Sequence, residues 1–135
     1  MKCVMIVNEN LPRGIIANTT AALGISIASL QDGMTGKKLM DRNGRIHESI
    51  TNVPIPILAL PVNDVKVLYD NLLELNDKDL KVIGFNDVAQ NSHHYEEYEA
   101  LLLQTAKDNI NYLGICIYGP KKKINKLTGS MKMLR

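Results

Sequence analysis

The feature that most constrains the fold is an apolar segment at residues 113–118, which is followed directly by Gly119-Pro120. Gly-Pro interrupts regular secondary structure, so the segment is predicted to be a strand that stops there. The lysine-rich segment 121–126 comes next, and Gly129 provides a signal that ends a helix. This order predicts a strand, a short basic helix and an apolar tail at residues 131–134.

The whole chain alternates between apolar segments and segments with helical periodicity. The predicted strands cover residues 2–7, 55–60, 80–85 and 113–118. Three helices are predicted between them: the first covers residues 15–31, the second has Asn63 as its N-cap, and the third begins near Ser92. Such alternation is typical of layered α/β domains with helices on both faces of the sheet. We therefore predict one domain over residues 1–135, with three α/β/α layers and a mixed sheet of about four strands.

The predicted helix at residues 15–31 is apolar around much of its circumference. Its large apolar side chains form one stripe, which consists of Ile16, Leu23, Ile27 and Leu30. Its small residues form a second stripe, which consists of Ala17, Ala21, Gly24 and Ala28. Such a helix must be covered on more than one side, and a sheet covers only one. Gly24 is expected to permit the close approach of another backbone. We predict a symmetric homodimer with this helix or the edge near residues 54–60 at the interface, and the helix after Asn91 is the alternative cover.

A polar segment at residues 33–52 contains Asn43-Gly44 between residues 38–40 and 45–47. Asn-Gly is a strong signal for a tight β-hairpin turn. The segment is therefore predicted to be a short hairpin at the surface.

Composition and charge restrict the location and the partners. No apolar segment reaches the roughly 18 residues that span a membrane, and the N-terminus lacks the pattern of a signal peptide. Cys3 and Cys116 lie in apolar segments and are predicted to be reduced core thiols. A cytoplasmic protein without a membrane partner is expected. The net charge of +2 is too small to indicate a nucleic-acid partner by itself.

Two groups of polar residues bear on metal and nucleic-acid binding. His93 and His94 are adjacent, so they diverge by about 100° on a helix, and no other ligands stand at metal spacing. No metal and no cofactor are therefore expected. Residues 121–123 and Lys126 could meet phosphates, but the chain has one Phe and no Trp for base stacking. A solvated helix is the favoured interpretation, and an RNA-binding module is an alternative.

Ligand-binding residues are predicted where two strands end. The turn from Asn8 to Gly14 leads into a helix, whose unpaired first amides suit an anionic or carbonyl group. Asn86 and Asp87 follow another predicted strand. Ligands of open α/β sheets bind beyond the carboxyl ends of strands, where both segments are expected to converge. The predicted ligand-binding residues are Asn8, Asn10, Gly14, Ile15, Asn18, Asn86 and Asp87.

The segment at residues 11–22 resembles the first-helix motif of type II peptidyl-tRNA hydrolases. The resemblance places the catalytic lysine of that family at Ile15, its glutamine at Thr19 and its histidine at Ala22. The family's aspartate beyond the third strand would fall on Asp87. The resemblance therefore implies a peptidyl-tRNA hydrolase II-like fold that has lost most of the catalytic side chains.

A second resemblance, across nearly the whole chain, is to the uncharacterised family named domain of unknown function 2000 (DUF2000), whose members share that fold. It rests on Asn-x-x-Leu-Pro-x-Gly at residues 8–14, Ala17-Asn18, the proline-flanked segment 54–58 and the segment 119–134. The family implies no established activity.

The favoured interpretation is a small-ligand-binding or regulatory module. The alternative is a hydrolase of peptidyl or acyl esters, in which Asp87 orients water with help from Asn8, Asn10 or Asn18. Two amides in the first turn of the helix would then stabilise the oxyanion. The missing lysine favours the binding module over the hydrolase.

Overall fold

The computed structural model describes residues 1–135, and it contains a mixed five-stranded sheet, a separate two-stranded hairpin and five α-helices. The strands are β1 (Lys2–Asn8), β2 (Leu39–Met40), β3 (Ile46–His47), β4 (Ile57–Leu60), β5 (Lys81–Asn86), β6 (Tyr112–Gly119) and β7 (Lys132–Met133). The helices are α1 (Arg13–Leu30), α2 (Val62–Leu75), α3 (Asp87–Gln90), α4 (Tyr95–Leu103) and α5 (Lys121–Thr128), and a 3₁₀ helix covers Lys107–Asn109.

The five-stranded sheet has the order β5-β6-β1-β4-β7. β1 and β4 are parallel, whereas β6 is antiparallel to both β1 and β5, and β7 is antiparallel to β4. The predicted α/β class and mixed sheet are confirmed, and the four predicted strands correspond to β1, β4, β5 and β6. The fifth strand, β7, is only two residues long, so the sequence pattern did not indicate it.

The register of the sheet brings two strand ends to the same edge. Val7 of β1 and Phe85 of β5 are both paired with Gly114 of β6. β1 and β5 therefore run in the same direction on either side of β6, and they end level with each other at Asn8 and Asn86. Because neighbouring strands lie about 4.8 Å apart, these two backbones are separated by about 10 Å.

Alternate residues of the central strands fill two clusters, one on each face of the sheet. Val4 and Ile6 of β1 pack with Ile115 of β6 beneath α2 and α5. Cys3 of β1 and Cys116 of β6 pack beneath α1 on the opposite face. The predicted three layers are therefore present. The two Sγ atoms lie 3.7 Å apart in free, buried cysteines, which confirms the prediction of core thiols.

α1 packs on the sheet through one face and leaves the opposite face exposed. Thr19, Leu23 and Ile27 are spaced four residues apart and are buried against the sheet. Ala21 and Ile25 lie on the outer face and are exposed. The second apolar stripe predicted for this helix therefore has no cover within the chain along its outer side.

The close backbone approach predicted at Gly24 is found instead at Gly114. A Cβ atom at Gly24 would lie 3.9 Å from Cε of Met5, which is an ordinary contact, so no backbone of this chain lies close to Gly24. A Cβ atom at Gly114 would lie 2.7 Å from Cγ2 of Thr19 and 3.2 Å from the carbonyl oxygen of Ile6. Glycine at position 114 therefore lets α1 lie close to the sheet.

The strand near residues 54–60 is not at an edge of the sheet. β4 is flanked by β1 on one side, and on the other side Leu58 and Ala59 pair with Met133 and Lys132 of β7. The prediction of an open edge is therefore wrong over residues 57–59, because the C-terminal segment pairs with β4 there. Pro56 stands directly before β4 and marks its beginning rather than an edge.

α2 and α4 begin at different residues from those predicted. Pro61, not Asn63, is the N-cap of α2, and its carbonyl oxygen accepts from the amides of Asp64 and Val65. Beyond Asn91, one long helix was expected from near Ser92, but α4 has nine residues and is followed by the separate 3₁₀ turn. The sequence signals of α5 are confirmed, since it ends with Gly129 as its C-cap. None of the helices combines the length and hydropathy that crossing a membrane requires.

The predicted hairpin is confirmed and forms an arm, which we define as residues 33–52. β2 and β3 pair Leu39 with His47 and Met40 with Ile46. Gly44 in the turn has a φ of 81°, a conformation that glycine adopts without strain. Where the arm joins the domain, Met34 is buried in the cluster beneath α1.

Candidate functional site

The predicted ligand residues at the end of β1 are largely engaged in local bonds. Asn8 is only 6% exposed, and its Oδ1 accepts from the amide of Asn10 at 2.9 Å. The amides of Ile15 and Ile16 both donate to the carbonyl oxygen of Pro12, at 3.0 and 3.1 Å. These two amides are therefore not free to stabilise an oxyanion. Gly14 and Asn18 are exposed on α1, and Ile15 is half-buried.

The predicted ligand residues at the end of β5 form a second set of structural bonds. The Oδ1 of Asn86 accepts from the amide of Ala89 and caps α3, and its Nδ2 donates to the hydroxyl of Tyr98 at 3.3 Å. Asp87 accepts from the amide and from the Nδ2 of Asn111, both at 3.1 Å. Asp87 therefore joins the beginning of α3 to the beginning of β6, and each carboxylate oxygen keeps one lone pair free of these bonds.

The two predicted sets share an edge of the sheet, but the cleft beside the first set does not reach the second. Asn10 borders a cleft of about 320 Å³ whose other walls are Glu9, Ala59 and residues 132–135. Neither Asn86 nor Asp87 lines that cleft. The role of these seven residues in ligand binding stays a prediction.

A different cleft of about 410 Å³ lies between α1, β5 and the segment that leads into α4, and we call it the α1–α4 cleft. Ile83 and Phe85 of β5 form its floor; both pack at the margin of the cluster beneath α1 and are only half-buried. The α1 wall consists of the small residues Ala22 and Ser26, which keeps the floor accessible. The remaining lining residues are Gly84, Ala89, Ser92, His93, His94, Tyr95 and Tyr98.

Two tyrosines give the cleft an aromatic wall. Tyr95 and Tyr98 meet edge to face, with ring centroids 5.6 Å apart and an interplanar angle of 81°. The hydroxyl of Tyr98 is held by the side chain of Asn86, which is 5% exposed. The strand end predicted as a ligand site therefore positions a wall residue of the α1–α4 cleft.

The histidines at the mouth of the cleft are paired with α4. The Nδ1 of His94 accepts from the amide of Glu97 at 3.1 Å and caps the helix. The same atom lies 3.2 Å from a carboxylate oxygen of Glu96, but a nitrogen that accepts the amide proton cannot also donate, so the cap defines its role. The amide of His93 donates to Glu97, and this bond lowers the pKa of the Glu97 carboxyl.

The charges around the cleft favour some ligands over others. No lysine or arginine lines it, whereas Glu96, Glu97 and Glu99 lie in or next to the segment that forms its mouth. A ligand with a negative charge would find no lysine or arginine there. An uncharged or cationic ligand is compatible with this arrangement.

Of the three α1 positions where the hydrolase resemblance implies catalytic side chains, one lines the α1–α4 cleft. Ala22 lines the α1–α4 cleft where the resemblance would place a histidine. Thr19 is fully buried, and its hydroxyl donates to the carbonyl oxygen of Ile15 at 2.8 Å. The cleft therefore lies where that family would carry one of its catalytic groups, but α1 supplies only methyl and hydroxyl groups to it.

The lysines at the start of α5 are partly neutralised. Nζ of Lys123 lies 2.6 Å from Asp77 and 2.9 Å from Asp79, so it does not contribute a free charge. Lys122 and Lys126 are exposed. No group of three or more histidine, cysteine, aspartate or glutamate side chains is arranged to hold a metal ion.

Comparison with known families gives one assignment. The family described as "Protein of unknown function (DUF2000)" matches residues 1–135. The chain belongs to this family. A solved structure of a protein of unknown function from Agrobacterium tumefaciens strain C58 is similar to this DUF2000 chain, with a TM-score of 0.84 and 18% sequence identity over 98% of this chain and 96% of the other. At that identity the likeness shows a shared fold only. No curated protein of known function matches the chain.

The sequence did not indicate the α1–α4 cleft as a site. The lining comes from two distant parts of the chain, residues 22–26 of α1 and residues 83–98, and only the tertiary fold brings them together. Small residues at positions 22 and 26 of α1 were the available signal.

Proposed function

We propose that this DUF2000 protein is a small-ligand-binding or regulatory module whose ligand occupies the α1–α4 cleft. The observation that carries the proposal is the half-buried apolar floor of Ile83 and Phe85, left open between small residues of α1 and the tyrosine wall. Its volume of about 410 Å³ is within the usual range of small-molecule sites.

The lining supports a flat, apolar ligand that is neutral or carries a positive charge. The rings of Tyr95 and Tyr98 offer stacking or cation–π contacts. The hydroxyl of Ser26 and the side chains at the mouth offer a few polar contacts that would orient the ligand. Aromatic amines are the simplest class that combines these properties.

The proposal is tested by NMR with a matched pair of α1 variants. A set of small aromatic amines is titrated into the isotope-labelled protein, and aromatic carboxylic acids of the same size serve as the charge control. We expect the amines to shift the amide signals of residues 83–85 and 92–98 more than the acids do. Ser26→Phe fills the cleft and should abolish these shifts, whereas Ser29→Phe, one turn further along α1 and outside the cleft, should keep them.

Two results would count against the proposal. One is the absence of shifts at the cleft with every compound. The other is a set of shifts confined to Asn8, Asn10 and Asn18, which would favour the end of β1 as the ligand site.

We propose further that the fold is of the peptidyl-tRNA hydrolase II-like kind and that the protein acts in the cytoplasm. The first suggestion is supported by the motif at residues 11–22 and by a mixed sheet in which α1 follows β1. The second is supported by Cys3 and Cys116, which are free thiols in the core.

We also propose that the protein is a homodimer in which the outer face of α1 contributes to the interface. The support is the exposed apolar row that includes Ala21, Ile25 and Ala28, which no element of the chain covers. Sedimentation at micromolar concentration tests it. A species near the chain mass of 15.0 kDa at all concentrations would contradict it.

A further inference from the structure

The arm at residues 33–52 carries large apolar side chains that nothing in the chain covers. Leu39, Met40, Ile46 and Ile50 are between 61% and 75% exposed. Because Met40 pairs directly with Ile46, the two side chains lie on the same face of the hairpin and form one patch. A contiguous exposed apolar patch of this kind marks an interaction surface.

The arm also carries uncompensated positive charge. Lys38 pairs with Glu48 at 3.6 Å, and Asp41 lies 2.9 Å from His47. The other cationic side chains of the arm have no ion pair, and these are Lys37, Arg42 and Arg45. The arm therefore presents apolar side chains surrounded by unpaired cations.

α4 presents the complementary surface. Tyr95, Glu99 and Leu103 are spaced four residues apart and form an exposed stripe in which Tyr95 is 76% and Leu103 is 88% exposed. A groove of about 570 Å³ runs along this stripe and includes Tyr98 and Leu102. Glu96, whose side chain is 84% exposed, lies beside it. α4 thus combines an apolar groove with carboxylates.

The arm and α4 of one copy lie on opposite sides of α1. The arm is attached near β4, where Val53 and Ile55 pack with Met34 beneath α1. α4 is attached at the end of β5 through the bond between Asn86 and Tyr98. Two strands, β6 and β1, separate β5 from β4, so the attachment points are three strand spacings, or about 14 Å, apart.

We propose that the arm of one copy docks on α4 of a second copy in a symmetric dimer. A two-fold axis that runs along the outer face of α1 brings the two α1 helices together. It also turns the second copy so that the arm side of one copy faces the α4 side of the other. It therefore places each arm opposite the partner's α4, so the contact forms twice. This inference rests on the dimer proposed above. It adds that the docked arm covers the mouth of the α1–α4 cleft, because Tyr95 and Tyr98 belong to both the cleft and the groove.

The test is a charge reversal with rescue, measured by sedimentation of the full chain. Arg42→Glu with Arg45→Glu, and separately Glu96→Lys with Glu99→Lys, should each raise the dimer dissociation constant about 10-fold or more. The protein with all four substitutions should recover most of the lost dimer affinity, because the charges of the arm and of α4 are again complementary. Lys121→Glu with Lys122→Glu, at the opposite face of the sheet, introduces the same number of charges and should leave the dimer unchanged.

The outcomes separate this contact from the dimer itself. A wild-type protein that stays monomeric overturns both. A dimer that tolerates both charge reversals, or that weakens with each but is not restored by the combination, overturns the arm contact and leaves the α1 interface standing. Circular dichroism of each variant checks that the fold is intact. Ligand binding to the cleft is measured separately with Ser26→Phe, so its failure does not bear on the arm.

Discussion

Replacing Gly84 by alanine should destabilise the protein through a single steric conflict. A Cβ atom there would lie 2.6 Å from Cε2 of Tyr69 and 2.9 Å from Cδ1 and Cε1 of Tyr112. These rings stack with centroids 3.9 Å apart, so neither can move without disturbing the other. Overpacking of this kind costs about 1–3 kcal/mol, and the smaller entropy of the unfolded alanine chain returns about 0.4–1 kcal/mol. The expected net loss is about 1–2 kcal/mol.

Thermal and urea unfolding of Gly84→Ala measure this loss, which corresponds to a Tm lower by roughly 4–8 °C. Gly14→Ala is the matched control, since a Cβ atom there meets nothing within 4 Å and its position in α1 favours alanine. The control should be neutral or more stable. In Gly84→Ala, a further Tyr69→Leu change should cost less than it does in the wild type, because it removes the closest contact. A Gly84→Ala protein as stable as the wild type would refute the reasoning.

Three further predictions concern a salt bridge, the core thiols and catalysis. The hydrogen bond from Lys123 lowers the pKa of the Asp77 carboxyl below its ordinary value of 3.8. Lys123→Met should therefore lower the free energy of unfolding near neutral pH, and the two proteins should become equally stable as the pH falls below that value. A stability difference that stays the same at every pH in urea unfolding would contradict this. Cys3 and Cys116 should react with an aromatic disulfide reagent only after denaturant is added, and rapid reaction of either in the native protein would show that the core opens. The protein should not cleave peptidyl-tRNA at a useful rate, and turnover that disappears in Asp87→Asn would establish the hydrolase alternative.

The parts of the fold that the sequence predicted depend on local signals. Asn43-Gly44 defines its hairpin within a few residues, and the apolar segment before Gly119-Pro120 defines β6. The N-cap of α2 was misplaced because Pro61 and Asn63 both suit a helix start, and only the observed bonds to the Pro61 carbonyl oxygen decide between them. The start of α4 was misplaced because its N-cap is His94, a residue that the usual N-cap preferences do not favour.

The candidate site was predicted less well because it depends on pairing between distant strands. The sequence placed Asn8 and Asn86 at strand ends, and the register puts them on one edge. It gave no information on where their side chains point, and both are used in local caps and turns. The α1–α4 cleft exists because Ile83 and Phe85 stay half-buried between α1 and the segment that leads into α4, which depends on how α1 packs on β5 rather than on any motif.

The position of β6 between β1 and β5 governs when the chain can fold during its synthesis. β6 separates β1 from β5 and contributes residues to both core clusters, yet it follows both strands in the chain and leaves the ribosome after them. Until then the nascent chain holds two strands with unpaired edges that face each other across an empty position, and neither core is complete. Edges of this kind pair readily with other chains. Pauses in translation shortly before Tyr112 therefore expose the chain to aggregation, and chaperone binding to the nascent chain is expected to end once β6 has been inserted.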